Sequence, residues 1–171
     1  AELSLSPLKT NDLVCTLRDI TERKRTQALL AEERNRLRKL IDTIPDYIYI
    51  KDTEHRTLLS NLARARSFGL TPEETIGKTD FDFVPAEMAV QFQADEQELF
   101  RTGLSLVNRE ERTIGPDGGV IWASTTKVPL HNLQGELIGL VGITRNITEQ
   151  KVRERQLRYY ASLQQDVNDA V

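Results

Sequence analysis

The chain has 171 residues, of which 39% are hydrophobic and 29% charged, and its formal net charge is −3. This length and balance indicate one soluble globular domain with substantial flanks, and they disfavour a basic nucleic-acid-binding domain. A single cysteine excludes an internal disulfide framework and is typical of a reducing compartment. No run of about eighteen apolar residues is present that could span a membrane. We therefore expect a cytoplasmic segment that contacts neither nucleic acid nor membrane.

The first 21 residues predict a hairpin, with strands Leu3–Leu8 and Leu13–Ile20 on either side of a polar turn. A long helix is predicted over 22–44, which holds no Gly or Pro until Pro45 ends it. Leu and Ile recur along this helix at seven-residue spacing, a partial coiled-coil seam that Arg23 and Glu33 interrupt, and its apolar side predicts a homodimer interface. The expected interface residues are Leu30, Leu37, Leu40 and Ile44.

The next segment predicts a small hairpin followed by helices. Strand formers fill Tyr47–Asp52 and Thr57–Ser60, with a four-residue turn between them. A short helix is expected at Ala63–Phe68, and Thr71-Pro72 begins another brief helical turn. The fuller amphipathic helix is expected at Pro85–Thr102, where the following Gly is a stop signal.

Three longer strands are predicted after these helices, at Leu104–Ile114, Val120–Leu130 and Glu136–Ile147. The glycine-rich stretch at 115–119 has the spacing of a hairpin turn and is not followed by a helix, so it is not a phosphate-binding loop. Thr148 is expected to cap the last helix with its hydroxyl.

Two of the predicted strands are apolar at both odd and even positions, namely Tyr47–Ile50 and Leu137–Ile143. An antiparallel strand with one wet face would alternate instead. We therefore expect both faces of this sheet to be covered, one by the short helices and the other by a flanking helix or a second subunit.

A short motif occurs twice, at Leu13–Arg25 and Leu140–Val152, and each copy is an apolar strand that passes through a Thr into a charged helix. A fainter repeat relates Tyr159–Val171 to the entry of the middle domain at Leu37–Ile48. The repeats predict a piece of a tandem array. Its expected parts are a hairpin remnant at 1–21, a linker helix at 22–44, a whole domain at 45–148, and a signalling helix at 149–171 that enters a following domain.

The order of elements resembles a PAS domain over about residues 40–148. The segments that carry the resemblance are Asp46–Asp52, Asn61–Arg64, Gly77–Pro85, Gly115–Trp122 and Gly139–Glu149. The resemblance implies an α+β fold with a five-stranded antiparallel sheet in the order 2-1-5-4-3, short helices on one face and long helices at both ends. It also implies a sensory or dimerising module within a larger protein of the histidine kinase (two-component) or cyclic-dinucleotide type.

In such a domain a ligand cavity would lie between sheet and helices, unless the same side chains simply fill the core. The expected lining residues are Ile48, Ile50, Leu58, Phe68, Ile76, Phe81, Phe83, Met88, Phe92, Trp122, Val141 and Ile143. The family's Asp-Ile-Thr ending, present as 19–21 in the first copy, is matched by Asn146-Ile147-Thr148 in the second. These three residues are the expected relay into the last helix, where Asn keeps the hydrogen bonds of the usual Asp but not its charge.

No resident cofactor is expected, although a small apolar ligand is possible. Haem-binding relatives need a His on the long helix, but His55 and His131 fall in predicted turns and are expected to be solvated. Photoreactive flavin domains need a Cys within the domain, whereas Cys15 lies in the preceding remnant. Asp80 and Asp82 have the spacing to bind a cation or to cap a helix, and we favour the capping role, so no metal site is predicted.

Two functions follow from these residues. The first is a sensor module whose cavity biases the flanking helices, together with neighbouring PAS and output domains. The second is a ligand-free dimerisation spacer. No combination of nucleophile, base and oxyanion donor is recognisable, so we do not expect an enzyme.

Overall fold

The computed structural model describes residues 2–7, 13–18, 21–115 and 117–168, with side chains for 21–115 and 117–162. The chain forms two compact units, Ala1–Leu40 and Ile41–Val171. In the first unit, β1 (Glu2–Pro7) pairs with β2 (Leu13–Arg18) as an antiparallel hairpin. The turn expected between these strands and the Asp-Ile pair at 19–20 lie outside the described residues.

Helix α1 (Thr21–Thr43) occupies the predicted linker. No α1 side chain is classed as buried in the described part of the chain. The four residues expected at a dimer interface are 40–67% exposed, so their apolar side chains contact water along the helix and just beyond it. They are Leu30, Leu37, Leu40 and Ile44.

The second unit contains five strands and three α-helices, together with two single-turn 3-10 helices. The strands are β3 (Tyr47–Lys51), β4 (Thr57–Ser60), β5 (Leu106–Ile114), β6 (Val120–His131) and β7 (Leu137–Asn146). The α-helices are α2 (Leu62–Ser67), α3 (Ala86–Thr102) and α4 (Thr148–Asn168), and the 3-10 turns are Glu73–Thr75 and Asp80–Asp82.

The strands form one antiparallel sheet in the order β4-β3-β7-β6-β5. Counted from β3, this order is 2-1-5-4-3, so the α+β fold expected from the resemblance is confirmed. Gly103 ends α3 in the left-handed conformation, with φ of 69°, which a glycine adopts without a steric cost.

The inner face of the sheet packs against α3 through a small buried apolar cluster. Tyr49, Leu99 and Leu140 form this cluster. Gly142 lies opposite Tyr49 in the β3–β7 register, and a Cβ at this position would stand 2.2 Å from the Tyr49 ring. The absence of a side chain at Gly142 therefore makes room for the Tyr49 ring on this face.

The outer face of the sheet carries an apolar stripe, because Ile48 pairs with Ile143 and Ile50 pairs with Val141. Half-exposed side chains continue the stripe across β7 and β6, with exposed fractions of 44% for Ile143, 43% for Trp122 and 37% for Val128. The outer face of the central strands is thus apolar, while their inner face carries Tyr49 and Leu140 of the buried cluster, so β3 and β7 show no alternation of apolar and polar residues.

Candidate functional site

Ionised side chains, and not an apolar cavity, occupy the space between the sheet and α3. Glu96 of α3 is fully buried. Its Oε1 accepts hydrogen bonds from Lys51 Nζ of β3 at 2.6 Å and from Lys127 Nζ of β6 at 3.1 Å. Its Oε2 lies 2.7 Å from Nδ1 of His55, which is held in the turn between β3 and β4. The Glu96 carboxylate therefore links α3 to β3, to β6 and to the turn between β3 and β4.

A second carboxylate extends this buried network. Asp80 pairs with Lys51 through one oxygen and with Arg64 of α2 through the other, the latter at 3.3 Å. The Arg64 guanidinium also stacks on the Tyr49 ring, 4.3 Å from its centroid. A cation over an aromatic face is attracted by the electrons of the ring. The network thus extends from α3 through the sheet to α2.

The pKa of Glu96 shows how strongly this network favours the ionised carboxylate. Burial alone would raise the pKa, but the hydrogen bond from His55 and the charges of Lys51 and Lys127 outweigh it and lower the pKa to about 2. For Lys127, burial acts to lower the pKa, yet Tyr49, Glu96 and Asp80 keep it above its ordinary value. Both groups are therefore charged at neutral pH.

A small polar cavity of about 30 Å³ borders the network. Its walls come from β3, α2, the second 3-10 turn, α3 and the last three strands. The lining residues are Tyr47, Tyr49, Arg64, Phe68, Asp80, Val84, Phe92, Glu111, Thr113, Lys127 and Thr144. The volume suffices for a water molecule or a compact polar ligand.

The junction between β7 and α4 is tied to β6 by backbone and side-chain hydrogen bonds. Ile147 N–H donates to Trp122 O at 2.9 Å, and Trp122 N–H donates to the Thr148 hydroxyl at 3.0 Å. The Asn146 side chain accepts from Thr148 N–H at 2.9 Å. Lys151, in the first turn of α4, pairs with Glu110 of β5 at 2.5 Å.

The connection from α1 to β3 is likewise held by hydrogen bonds, here to the side chain of Asn61, which is fully buried. Its Oδ1 accepts from Ile48 N–H at 3.0 Å and caps α2 by accepting from Arg64 N–H at 3.1 Å. Its amide nitrogen has two N–H groups and lies within hydrogen-bond distance of three carbonyl oxygens, one in the last turn of α1 and two after it. These acceptors are Ile41 O, Ile44 O and Asp46 O, at 3.0, 3.2 and 2.9 Å.

The comparisons with known proteins agree with this architecture. The PAS fold family model matches residues 41–152. This chain belongs to the PAS family. It is 30% identical over 131 residues to a diguanylate cyclase of Vibrio cholerae, covering 75% of this chain and 40% of that protein. It is 32% identical over 122 residues to the methanogenesis regulatory histidine kinase FilI of Methanothrix harundinacea, covering 71% and 14%.

A solved structure of the Vibrio cholerae VqmA–ligand–DNA complex is also similar, with a TM-score of 0.59 and 29% identity over 64% of this chain and 50% of that one. The chain spans less than half the length of the curated relatives named above. The PAS domain is a sensory fold, and these relatives place it in signalling proteins. None of the helices in the described part of the chain has both the length and the hydropathy of a membrane span.

The structure brings only part of the expected cavity lining together in this PAS domain. Phe68 and Phe92 border the cavity. The expectation was wrong for the four β3 and β7 residues Ile48, Ile50, Val141 and Ile143, and for Trp122, because they belong to the outer face of the sheet. Leu58, Ile76 and Phe81 are about half exposed. Phe83 stacks on Phe68, and Met88 is partly buried on α3.

Three other expectations need correction. His55 does lie in a turn, but it is buried against Glu96 and is not solvated. Asp82 caps the second 3-10 turn through Thr79, as favoured, whereas Asp80 belongs to the buried ion network. Thr148 begins α4, but its hydroxyl accepts from the Trp122 amide of β6 instead of capping the helix.

The sequence interpretation missed the residues that form the buried network. Lys51 and Lys127 were not considered, since lysine is rarely fully buried without a partner. One signal was present: Tyr47, Tyr49 and Lys51 alternate along β3 and therefore share a face. Because Ile48 and Ile50 are equally apolar, the sequence did not decide which of the two sets faces inward.

Proposed function

We propose that this PAS domain is a sensory, non-catalytic module whose polar pocket controls the start of α4, and through it an output domain elsewhere in the same protein. One observation carries the proposal: β6 bears Lys127 in the buried network and, five residues earlier, Trp122 at the helix junction. A shift of this strand in response to the pocket would change the two hydrogen bonds that hold Ile147 and Thr148.

The output is proposed to be of the diguanylate cyclase or histidine kinase type, since proteins with those activities contain the matched PAS segment. Neighbouring PAS domains, a linker at 22–44 and a domain over 45–148 are part of the same proposal. The repeated strand-to-helix motif at Leu13–Arg25 and Leu140–Val152 supports them. The ligand bound by VqmA in its complex supports a small-molecule stimulus for this domain.

The relay is tested by replacing Thr148 with Val, which keeps the side-chain shape but removes the hydroxyl that accepts from Trp122 N–H. We expect a changed output of the full-length signalling protein. A coupling of about 1 kcal/mol shifts a two-state equilibrium roughly fivefold. Thr148→Ser is the matched control, because it keeps the hydroxyl and should retain the wild-type output.

The measurement compares output activity with the thermal midpoint of the domain for both variants. Output that is unchanged in the Val variant, or that falls only in proportion to lost folding, would show that Thr148 is a passive connector.

We also propose that the segment forms a parallel homodimer through α1 and the outer face of the sheet. The support is the exposure of Leu30 and Leu37 on α1 and of Ile44 just after it, at seven-residue spacing, together with the half-exposed apolar stripe on the sheet. Two exposed apolar surfaces in one chain favour burial against a second copy.

The dimer is tested by the double substitution Leu37→Ser and Leu40→Ser, which we expect to yield a monomer in sedimentation equilibrium. The matched control is Leu133→Ser, since Leu133 is fully exposed in the β6–β7 turn and belongs to neither surface. A dimer of unchanged affinity in the double variant would rule out this interface.

The alternative function, a ligand-free spacer, is favoured by one observation, the small volume of the cavity. The two functions differ in one respect: a spacer would show no specific response to a molecule that fits the pocket.

A further inference from the structure

The walls of the polar cavity carry cationic side chains whose hydrogen-bond donors are not all used. Lys127 has three N–H groups, of which one donates to Glu96 at 3.1 Å and one to Phe92 O at 3.3 Å. Arg64 has five, and its described bonds, to Thr57 Oγ1 and Asp80 Oδ1, are long at 3.4 and 3.3 Å. Donors on both side chains therefore remain for a ligand.

The Tyr47 hydroxyl adds a donor that has no partner. It is buried, lines the cavity, and has no hydrogen-bond partner among the described residues. Burial raises the pKa of Tyr47. The Ser67 hydroxyl lowers the pKa of Tyr47. The proton of the Ser67 hydroxyl is donated to Arg64 O at 2.7 Å. An unpaired buried hydroxyl costs free energy that an acceptor placed in the cavity would recover.

Two of the acidic groups in and beside the cavity, Asp80 and Glu96, are already engaged by cations. Asp80 is held by Lys51 and Arg64, and Glu96 by two lysines and His55. Burial raises the pKa of the Glu111 carboxyl, and a hydrogen bond from Thr125 and the charge of Lys127 oppose that rise. At Asp80 and Glu96 an incoming anion thus meets carboxylates whose charge is compensated.

We propose that the cavity binds a compact carboxylate, whose oxygens accept from the Tyr47 hydroxyl and from the cationic groups of Lys127 and Arg64. The volume of about 30 Å³ limits the ligand to a few heavy atoms. The apolar rings of Phe68 and Phe92 on the cavity wall suit its short hydrocarbon part. This inference rests on the proposed sensory function and specifies the chemical class of its ligand.

The test measures the binding of sodium acetate to the whole chain by calorimetry and by the thermal midpoint, at ionic strength matched with sodium chloride. Acetamide, which has the same shape and no charge, is the comparison ligand. We expect acetate to raise the thermal midpoint and acetamide to have no effect. Tyr47→Phe should weaken acetate binding about tenfold, the effect of losing one hydrogen bond to a charged group.

Tyr47→Phe is suited to this test because it removes only an unpaired hydroxyl, so the variant should fold with an unchanged or higher midpoint. Tyr159→Phe on the exposed surface of α4 is the matched control and should bind acetate like the wild type. Equal effects of acetate and acetamide, or equal acetate affinity in wild type and Tyr47→Phe, would overturn the proposal.

A failure of the proposed ligand class can be distinguished from a failure of the proposed sensory function. If acetate does not bind but Thr148→Val changes the output, only the ligand class is wrong. If acetate binds through Tyr47 but leaves the output of the full-length protein unchanged, the relay is wrong and the ligand class holds.

Discussion

Replacing Glu96 with Gln is expected to destabilise the domain by about 3–5 kcal/mol, because it leaves two buried ammonium groups without their shared carboxylate. The loss is measured as the free energy of unfolding in urea at neutral pH. The matched control is Glu98→Gln on the same helix, since Glu98 is exposed and pairs only with the exposed Arg101. That change should cost less than about 1 kcal/mol.

The acid dependence of stability gives an independent readout of the same carboxylate. Its folded pKa of about 2 lies below its ordinary value of 4.5. A carboxylate with a lowered folded pKa contributes stability that is fully present above the ordinary pKa and is lost as the pH falls through the folded value. The wild type should therefore lose about 3 kcal/mol between pH 4.5 and pH 2 from Glu96.

In Glu96→Gln this part of the acid-induced loss should be missing. If the two proteins have parallel stability curves over that range of pH, or if the substitution costs no more than Glu98→Gln, Glu96 does not hold the network together.

Replacing Asn61 with Ala is expected to cost roughly 3 kcal/mol or more. The change leaves the three carbonyl groups around the end of α1 without their donor and the Ile48 amide without its acceptor. Each buried polar group left unpaired costs about 1–3 kcal/mol unless water reaches it. Asn61→Asp should be no milder, since it places carboxylate oxygens against carbonyl oxygens.

The comparison for Asn61 is Asn132→Ala in the exposed β6–β7 turn, where the side chain also accepts from backbone amides at positions 134 and 136. Water can replace those bonds, so the cost should stay below about 1.5 kcal/mol. Hydrogen exchange should show increased exchange at residues 41–48 in Asn61→Ala. Unaltered exchange there, with an effect no larger than that of Asn132→Ala, would contradict the anchoring role of Asn61.

The elements and their order followed from local signals in the sequence. Gly103 stops α3, the glycine-rich turn before Val120 joins β5 to β6, and the Pro after Ile44 follows the end of α1. Each of these signals comes from the backbone preference of a single Gly or Pro, so it can be recognised in the sequence without knowledge of distant contacts. The strand order was implied by the family resemblance and was confirmed.

The candidate site was largely unpredictable because it depends on long-range pairing. Glu96 meets Lys51 across 45 positions of sequence and Lys127 across 31. Nothing local marks these residues as partners, and a charged residue on an amphipathic helix is normally exposed. The same reason applies to Thr148, whose hydroxyl was expected to bond within its own helix but accepts from β6, 26 positions away.

In the proposed sensory function, the buried ion network connects the pocket to the rest of the domain. Charged groups in a water-poor interior interact strongly, so a ligand that adds one charge alters every bond of the network. Lys127 and Trp122 share β6, and β6 contacts the start of α4. We therefore propose that a change in the pocket reaches α4 along β6, through the hydrogen bonds of Trp122 to Ile147 and Thr148.

The most direct measurement of this coupling is amide hydrogen exchange at Trp122 and Ile147 with the pocket empty and saturated with acetate. The account predicts that acetate changes the protection of both amides in the wild type, and that Tyr47→Phe at the same acetate concentration shows a much smaller change. If calorimetry shows the pocket to be saturated while exchange at Trp122 and Ile147 is unchanged, the pocket and the helix junction are not coupled.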